Sequence, residues 1–351
     1  MSNELRKTNL FYYATSELSQ DAFICYLVAH LIKECRNDNE QIYNCAVEFV
    51  NKILKTKGIE FNEDMEVEIK KQYNKIDVLI ILSDKKHEKK YYVIIEDKTF
   101  ADTHNDQINR YKSGLIKSEK LDNDEDIICV FYKIIEQSED EKDVDIEFKR
   151  NDILEILNKY KNNNNSQIFL DYIEYLEDID TKVNSYKTLD ISEWFSESYR
   201  GFFKDLKENF LKEEDSKWGF VNNVKGGFMF FCYSIFKKND GHYIGIDKDF
   251  YDEIYLQIED NELAVKYKVT KDIAEYNRHK DNKGYIEKLK NNRDIIYKKV
   301  LENLNEKWKK SFNKTSFRRG RYMTVAKIEY DMSNYKEIFT DVKSALLSIK
   351  L

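Results

Sequence analysis

The stretch YYVIIEDKTF, residues 91–100, begins like a buried strand and ends in charges. Its first five residues are aromatic or aliphatic, a run typical of a strand covered on both faces. Glu96, Asp97 and Lys98 follow at once, although charge is costly to bury. Alternate side chains of a strand leave the same face, so Glu96 and Lys98 point together. Asp97 points to the other face, and we interpret it as structural or solvent-facing.

A second acid lies one hairpin earlier, within the strand-like run KIDVLIIL at 75–82. Neighbouring antiparallel strands lie about 5 Å apart, so Asp77 and Glu96 can approach one ion from adjacent strands. Two carboxylates with waters and a phosphate oxygen form a ligand set that Mg²⁺ prefers. The Lys98 ammonium is suited to positioning an attacking water and to stabilising negative charge. The competing interpretation is a strand end whose charges are simply hydrated.

The composition indicates a folded globular protein with enough apolar material for one or two cores. Of the 351 residues, 41% are hydrophobic and 35% are charged, with a net charge of −7. These values are typical of a soluble protein and not of a disordered one. The negative balance argues against nucleic-acid binding by the whole surface, but it is compatible with a local basic groove.

Cysteine usage and hydropathy favour a cytoplasmic location. The five cysteines form no CxxC pair and lie mostly in apolar runs, which predicts reduced, packed thiols. The sequence has no run of 18 apolar residues, and its N-terminus lacks the apolar core of a signal peptide. Neither a membrane span nor secretion is therefore expected.

Hydrophobic periodicity predicts an α/β chain, α+β overall, with a mixed sheet in its first domain. The predicted helices are 15–35, 39–56, 106–118, 151–160 and 166–179. The predicted strands are 65–73, 75–82, 91–98, 126–135 and 143–148. Short turns make the first three strands antiparallel, and the helix before the fourth strand allows a right-handed crossover and parallel pairing.

The second half predicts an α+β domain with an antiparallel sheet, and we place the domains at 1–185 and 186–351. The predicted helices are 191–211, 283–312 and 334–349. The predicted strands are 226–236, 242–247, a hairpin over 253–269 that turns at Asp260–Asn261, and the end of the segment 316–330. Asp-Asn is a favourable hairpin turn. We expect this domain to recognise the substrate or a partner.

The spacing of Asp77, Glu96 and Lys98, D-x(18)-E-x-K, resembles the PD-(D/E)XK nuclease superfamily. Gln107 and Tyr111 form QxxxY on one face of the helix that follows the third strand. RecB-like members of the superfamily carry that motif at this place, where it lines the site and touches substrate.

The resemblance covers about residues 15–160 and implies a restriction-endonuclease-like core of order α-β-β-β-α-β. It implies a metal-dependent nuclease in which both strand carboxylates bind Mg²⁺, with Mn²⁺ as a substitute, and the lysine orients the nucleophile. Many members add a Glu from the first helix, which here is Glu17, with Asp21 as the other candidate. Ile76 stands where the superfamily motif has proline, a position that contributes no ligand. We interpret His104 as a loop residue, with phosphate contact or action as an acid as its alternatives.

Residues 307–321, KWKKSFNKTSFRRGR, form the densest basic run, with seven Lys or Arg and no acid. One interpretation is a nucleic-acid contact in which the cations bind phosphates and Trp308, Phe312 and Phe317 stack on bases. The other is a basic helix end whose aromatic rings belong to the core. The candidate phosphate ligands are Lys309, Lys310, Arg318, Arg319 and Arg321.

Two hypotheses of different classes follow. The first is a metal-dependent phosphodiesterase that acts on DNA, with RNA as the alternative substrate. The second is a nuclease-fold regulatory protein that binds nucleic acid or a protein partner, with cleavage absent or conditional. An oligomer or a protein partner is compatible with both. A Lys98→Ala protein that keeps nucleic-acid affinity but loses cleavage distinguishes the first hypothesis from the second.

Overall fold

The computed structural model describes residues 8–14, 16–99, 107–212, 216–222, 226–237 and 252–349. Contacts divide the chain into two compact units, Met1–Lys182 and Val183–Leu351. The division falls near the end of a helix at the close of the first unit. Within the described ranges, no helix combines the length and apolarity needed to cross a membrane.

The first unit contains a five-stranded sheet in the order β1-β2-β3-β4-β5. Its strands are β1 (Glu66–Tyr73), β2 (Ile76–Asp84), β3 (Lys89–Lys98), β4 (Ile127–Lys133) and β5 (Ile146–Lys149). Its helices are α1 (Ser16–Ala29), α2 (Glu40–Leu54), α3 (Gln107–Glu119), α4 (Arg150–Lys159) and α5 (Gln167–Asn184). The first three strands pair antiparallel, whereas β3–β4 and β4–β5 pair parallel. The predicted mixed sheet is confirmed.

The alternation of side chains along β3 separates two apolar layers of the first unit. Ile94 faces α3 and packs with Leu115 in one buried cluster. On the other face Phe23 of α1 stacks on Tyr172 of α5, with ring centroids 3.7 Å apart. The Tyr172 hydroxyl also bonds to that of Tyr132 on β4 at 3.0 Å. The sheet is therefore covered by helices on both faces, and its polar strand ends meet at the edge where the apolar layers stop.

The second unit contains a six-stranded sheet in the order β10-β11-β9-β8-β7-β6, antiparallel throughout. Its strands are β6 (Ser216–Val221), β7 (Phe228–Lys237), β8 (Glu253–Glu259), β9 (Glu262–Lys268), β10 (Asn313–Lys314) and β11 (Tyr322–Glu329). Its helices are α6 (Ser196–Asp205), α7 (Ile273–His279), α8 (Lys283–Asn303), α9 (Glu306–Lys309) and α10 (Tyr335–Leu347). The antiparallel sheet and the hairpin at Asp260–Asn261 are as predicted.

Two predicted helices are too long because local hydrogen bonds end them early. After Ala29 the backbone bonds become i→i−3, with Leu31 N donating to Val28 O at 2.9 Å, which tightens the chain into turns. The predicted helix 283–312 breaks after Asn303, where the Asn305 side chain accepts a hydrogen bond from the backbone of the next helix. Asparagine at such a position starts a new helix and does not extend the old one.

The predicted helix 191–211 is three segments. A 3₁₀ turn at Ile191–Glu193 is followed by α6 and then by a π-helical segment, Leu206–Leu211. The break has a local cause, because the Ser198 hydroxyl accepts from the Phe195 N–H at 2.9 Å. That bond satisfies a helix-end donor and restarts the helix at this point.

The sequence patterns missed β6, β10 and α7. The pattern of β6 is weakened by Lys217 and Gly219, and β10 has only two residues. The strand predicted within 316–330 begins only at Tyr322. The predicted strand 242–247 and His104 lie outside the described residues.

Candidate active site

The hairpin of β2 and β3 places the two strand carboxylates side by side. Val78 pairs with Ile95, so the same register puts Asp77 opposite Glu96. The Asp77 carboxylate also accepts a hydrogen bond from the Asp97 N–H at 3.1 Å, through Oδ2. Both acids therefore lie where the apolar part of the two strands ends.

Lys98 lies between these carboxylates. Its Nζ is 2.6 Å from Glu96 Oε1 and 3.7 Å from Asp77 Oδ2. It also donates to the Asp97 carbonyl oxygen at 3.1 Å. The expected acid–acid–lysine group is thus assembled on one edge of the sheet.

Helix α3 adds an amide to this group. Gln107 Nε2 is 2.6 Å from Glu96 Oε1 and 2.5 Å from the Tyr111 hydroxyl. The two residues of QxxxY therefore share a face of α3, as their i, i+4 spacing requires. One oxygen of Glu96 is held from two directions, by an ammonium and by an amide.

Helix α1 brings two more acids to the same edge. Glu17 Oε1 lies 3.5 Å from the Thr99 N–H, just beyond β3. Asp21 is 1% exposed and is joined to the strand carboxylates through Gln72, whose Nε2 is 3.1 Å from Asp21 Oδ2 and 3.3 Å from Asp77 Oδ1. Sequence reasoning missed Gln72, because no spacing rule connects it to α1. Its position opposite Asp77 across the first hairpin was the available signal.

Asp97 is not solvent-facing, which corrects part of the interpretation from sequence. It is 1% exposed, and its Oδ1 accepts from the side chain of Gln20 on α1. Its other carboxylate oxygen is buried without a hydrogen-bond partner among the described residues. Asp97 therefore links the sheet to α1 on the face opposite Lys98.

Crowding and burial of acids shift the pKa values of the side chains at this edge. Burial raises the pKa of Glu96 to about 7, with Asp77 adding to the rise and Lys98 opposing it. Burial and the nearby Asp77 raise the pKa of Asp21 to about 6. Burial and the charges of Asp21 and Asp77 also hold the pKa of Asp97 well above its usual value. Burial would lower the pKa of Lys98, but its hydrogen bond to Glu96 and the surrounding acids raise it to about 12.

The carboxylate ligands at this edge are few, but they fit a divalent cation such as Mg²⁺. The described residues include no group of three or more His, Cys, Asp or Glu side chains placed to hold a metal ion. Mg²⁺ usually keeps several waters and binds one or two carboxylates, and Asp77 and Glu96 supply two. Glu96 is fully buried, and its Oε2 has no hydrogen-bond partner among the described residues. A buried acceptor left in this way is destabilising unless a ligand satisfies it.

The basic run of the second unit is largely neutralised by neighbouring groups. Lys309 is 2.7 Å from Glu306, and Arg319 is 2.9 Å from Asp281. Arg321 donates to a backbone carbonyl at 3.0 Å. Lys310 and Arg318 are exposed.

The aromatic rings of this basic run pack inward. Trp308 is 9% exposed and Phe312 is 2% exposed, both in the buried cluster of the second unit, and Phe317 packs against that cluster. Rings in the core have no free face for a base, so Trp308 and Phe312 do not serve the stacking contact. The phosphate contacts proposed for the cations of this run stay predictions.

Two grooves on the described surface lie away from the carboxylates. One, of about 920 Å³, is lined by both signs of charge, including Arg36, Glu66 and Lys89, at the opposite end of β1 and β2. The other, of about 750 Å³, lies in the second unit beside Tyr186 and Trp194. Neither groove contains the residues that carry the chemistry.

Comparison with known proteins agrees with the geometry of this edge. The model of the PD-(D/E)XK nuclease superfamily matches residues 10–215, a range that extends beyond the first unit and includes Glu17, Asp21, Asp77, Glu96 and Asp97. A search of curated proteins and a search of solved structures each give no match. Because the family model covers more than half of the sequence, the chain belongs to the PD-(D/E)XK nuclease superfamily.

Proposed function

We propose that the protein hydrolyses phosphodiester bonds of DNA, using Mg²⁺ or Mn²⁺ at the site of Asp77, Glu96 and Lys98. The observation that carries this proposal is the environment of Glu96. One of its oxygens is held by Lys98 and Gln107, while the other is buried without a hydrogen-bond partner among the described residues. Such an arrangement presents a fixed acceptor toward a cation.

The chain offers further ligands for that cation. Asp77 and Glu96 would hold it, the carbonyl oxygen of Asp97, which accepts from Lys98 Nζ at 3.1 Å, would add a backbone ligand, and Glu17 would join directly or through water. The bound cation would neutralise charge on a phosphate oxygen and lower the pKa of a coordinated water.

Lys98 would act on the nucleophile and on the phosphate. Its Nζ donates to Glu96 at 2.6 Å and to the Asp97 carbonyl at 3.1 Å, whereas Asp77 at 3.7 Å is beyond hydrogen-bond distance, so one N–H remains to orient a water or donate to a non-bridging oxygen. In the reaction the water would lose a proton to solvent as its oxygen bonds to phosphorus, the bond to the leaving oxygen would break, and that oxygen would take up a proton from solvent. Gln107 would hold Glu96 in place while Tyr111 supports Gln107, the role proposed for the RecB-like motif in this chain.

The test is a cleavage assay with Mg²⁺ or Mn²⁺ on linear, circular and single-stranded DNA, with RNA alongside. Lys98→Ala should lose at least about 10²-fold in cleavage rate, the scale of losing one charge-stabilising donor, and should keep its DNA affinity. Lys86→Ala is the matched control, because this exposed lysine follows Asp84 at the opposite end of the sheet.

Equal cleavage by the parent protein and Lys98→Ala on every substrate would contradict the proposed nuclease activity. In that case the chain would be a binding protein on a nuclease fold. Cleavage of RNA alone would keep the reaction but replace the substrate.

A further inference from the structure

The turn between β1 and β2, termed here the hairpin tip (residues 71–75), contacts the candidate site directly. Its Gln72 side chain donates to Asp21 on α1 and to Asp77 on β2. The tip therefore has a fixed place beside the carboxylates.

The backbone of the hairpin tip is unusual for its sequence. Tyr73 pairs with Ile76, so Asn74 and Lys75 form a two-residue loop, and their φ angles are 52° and 73°. Hairpin loops with positive φ at both central residues strongly favour Asn followed by Gly. Lysine thus occupies the position where glycine is preferred. Residues held in sparsely populated conformations cluster at functional sites and ligand clamps, and this lysine lies two residues from Asp77 in the sequence.

The two lysines of the hairpin tip form no ion pair within the part of the chain that the structure describes. Lys71 and Lys75 are both exposed, and neither side chain has an ion pair or a hydrogen bond with any other described residue. By contrast, Lys309 and Arg319 of the basic run are paired with carboxylates. A polyanion that approaches the acids of the active site needs uncompensated cations nearby, all the more on a chain of net charge −7.

We propose that the hairpin tip binds the DNA backbone beside the scissile bond, with Lys71 and Lys75 each contacting a phosphate. Gln72, tied to Asp77, would keep those cations at a constant distance from the reacting phosphate. The inference rests on the proposed function, because it assigns substrate contacts to the same site.

The salt dependence of DNA binding tests this inference without cleavage. Fluorescence anisotropy of a labelled duplex with the full-length Lys98→Ala protein in Mg²⁺ would give log Kd against log salt, from about 50 to about 200 mM. Lys71→Ala and Lys75→Gly should each weaken binding and reduce the slope by about 0.9, the loss of one phosphate contact on duplex DNA. Lys86→Ala should leave both quantities unchanged.

A second measurement separates binding from folding at the same residue. Lys75→Gly should raise Tm by about 2–4 °C, because glycine adopts positive φ without strain, while it weakens DNA binding. Lys75→Arg keeps the charge and should keep the salt slope. A variant that only damaged the fold would lower Tm and affinity together.

Equal salt slopes for Lys71→Ala, Lys75→Gly and Lys86→Ala would overturn the inference, as would a parent protein that does not bind the duplex. The outcome is distinguishable from that of the proposed function. If the protein binds DNA through the hairpin tip but cleaves nothing, the nuclease proposal is wrong and the hairpin-tip proposal stands. If the protein cleaves DNA but the hairpin-tip variants leave the salt slope of binding unchanged, only the hairpin-tip proposal is wrong.

Discussion

Glu96 and Asp21 are buried acids that destabilise the folded protein when they are ionised. Both are buried beside other acids, and their pKa values are raised to about 7 and about 6. When the pKa of a carboxyl is higher in the folded state than in the unfolded state, the free energy of unfolding falls as the pH rises between the two values. An active site that crowds carboxylates therefore carries a folding cost, the common trade-off between stability and activity.

Substituting Asp21→Asn should stabilise the metal-free protein at high pH. The unfolded carboxyl ionises near 3.8 and the folded one near 6. The gain should therefore be absent below about pH 4 and complete above about pH 7, at about 3 kcal/mol, since each pKa unit corresponds to about 1.4 kcal/mol. Chemical denaturation in the presence of a chelator, repeated from about pH 4 to about pH 8, measures it.

The control for this substitution is Asp64→Asn, because Asp64 is exposed and lies before β1 at the opposite end of the sheet. It should change the free energy of unfolding little at any pH. A gain for Asp21→Asn that is the same at low and high pH would contradict the electrostatic explanation.

Helices α3 and α6 each contain a glycine, and their packing predicts opposite effects on stability when each glycine is replaced by alanine. Gly201 of α6 lies so close to Val183, the first residue of the second unit, that a Cβ would overlap the carbonyl oxygen of Val183. A Cβ on Gly114 of α3 would meet nothing within 4 Å. Helix propensity favours alanine at both positions, so only the tertiary contact distinguishes them.

The substitution Gly201→Ala should destabilise its unit by about 1–3 kcal/mol, the usual cost of overpacking. Gly114→Ala should stabilise the first unit by about 0.5–1 kcal/mol, because it removes backbone entropy from the unfolded helix. Urea unfolding of both variants beside the parent protein measures the two changes. Changes of the same sign would show that the approach of α6 to Val183 is not as close as described.

Among the described residues, each unit has a buried apolar cluster of its own, and these two clusters share no residue. One cluster lies entirely within the first unit, between the mixed sheet and α3. The other lies entirely within the second unit and joins its antiparallel sheet to α8 and α10. Units with separate cores can unfold separately. The match to the nuclease model ends at residue 215, so all described strands of the second sheet lie outside it, and the role of this sheet in recognising substrate or partner is a proposal.

Calorimetry of the full-length protein should therefore resolve two transitions. Gly201→Ala should lower one midpoint, and Asp21→Asn at about pH 8 should raise the other. A single transition whose calorimetric and van't Hoff enthalpies agree would contradict the proposed division at 1–185 and 186–351.

The sequence by itself determined the order of elements in the first unit and the meeting of Asp77, Glu96 and Lys98. Strand alternation has a period of two and a hairpin fixes its own register, so these placements depend on local rules. The Gln107–Tyr111 pair follows in the same way from helical spacing.

Only the tertiary structure decided the contacts between elements far apart in the chain. The bonds of Gln20 to Asp97 and of Gln72 to Asp21, and the inward packing of Trp308, depend on how helices pack on sheets. Nothing in the local period of a sequence sets which side chain a packed helix presents to a strand remote in the chain. Burial, and with it the raised pKa of Glu96, is likewise a property of the assembled layers, because it takes several elements to exclude water.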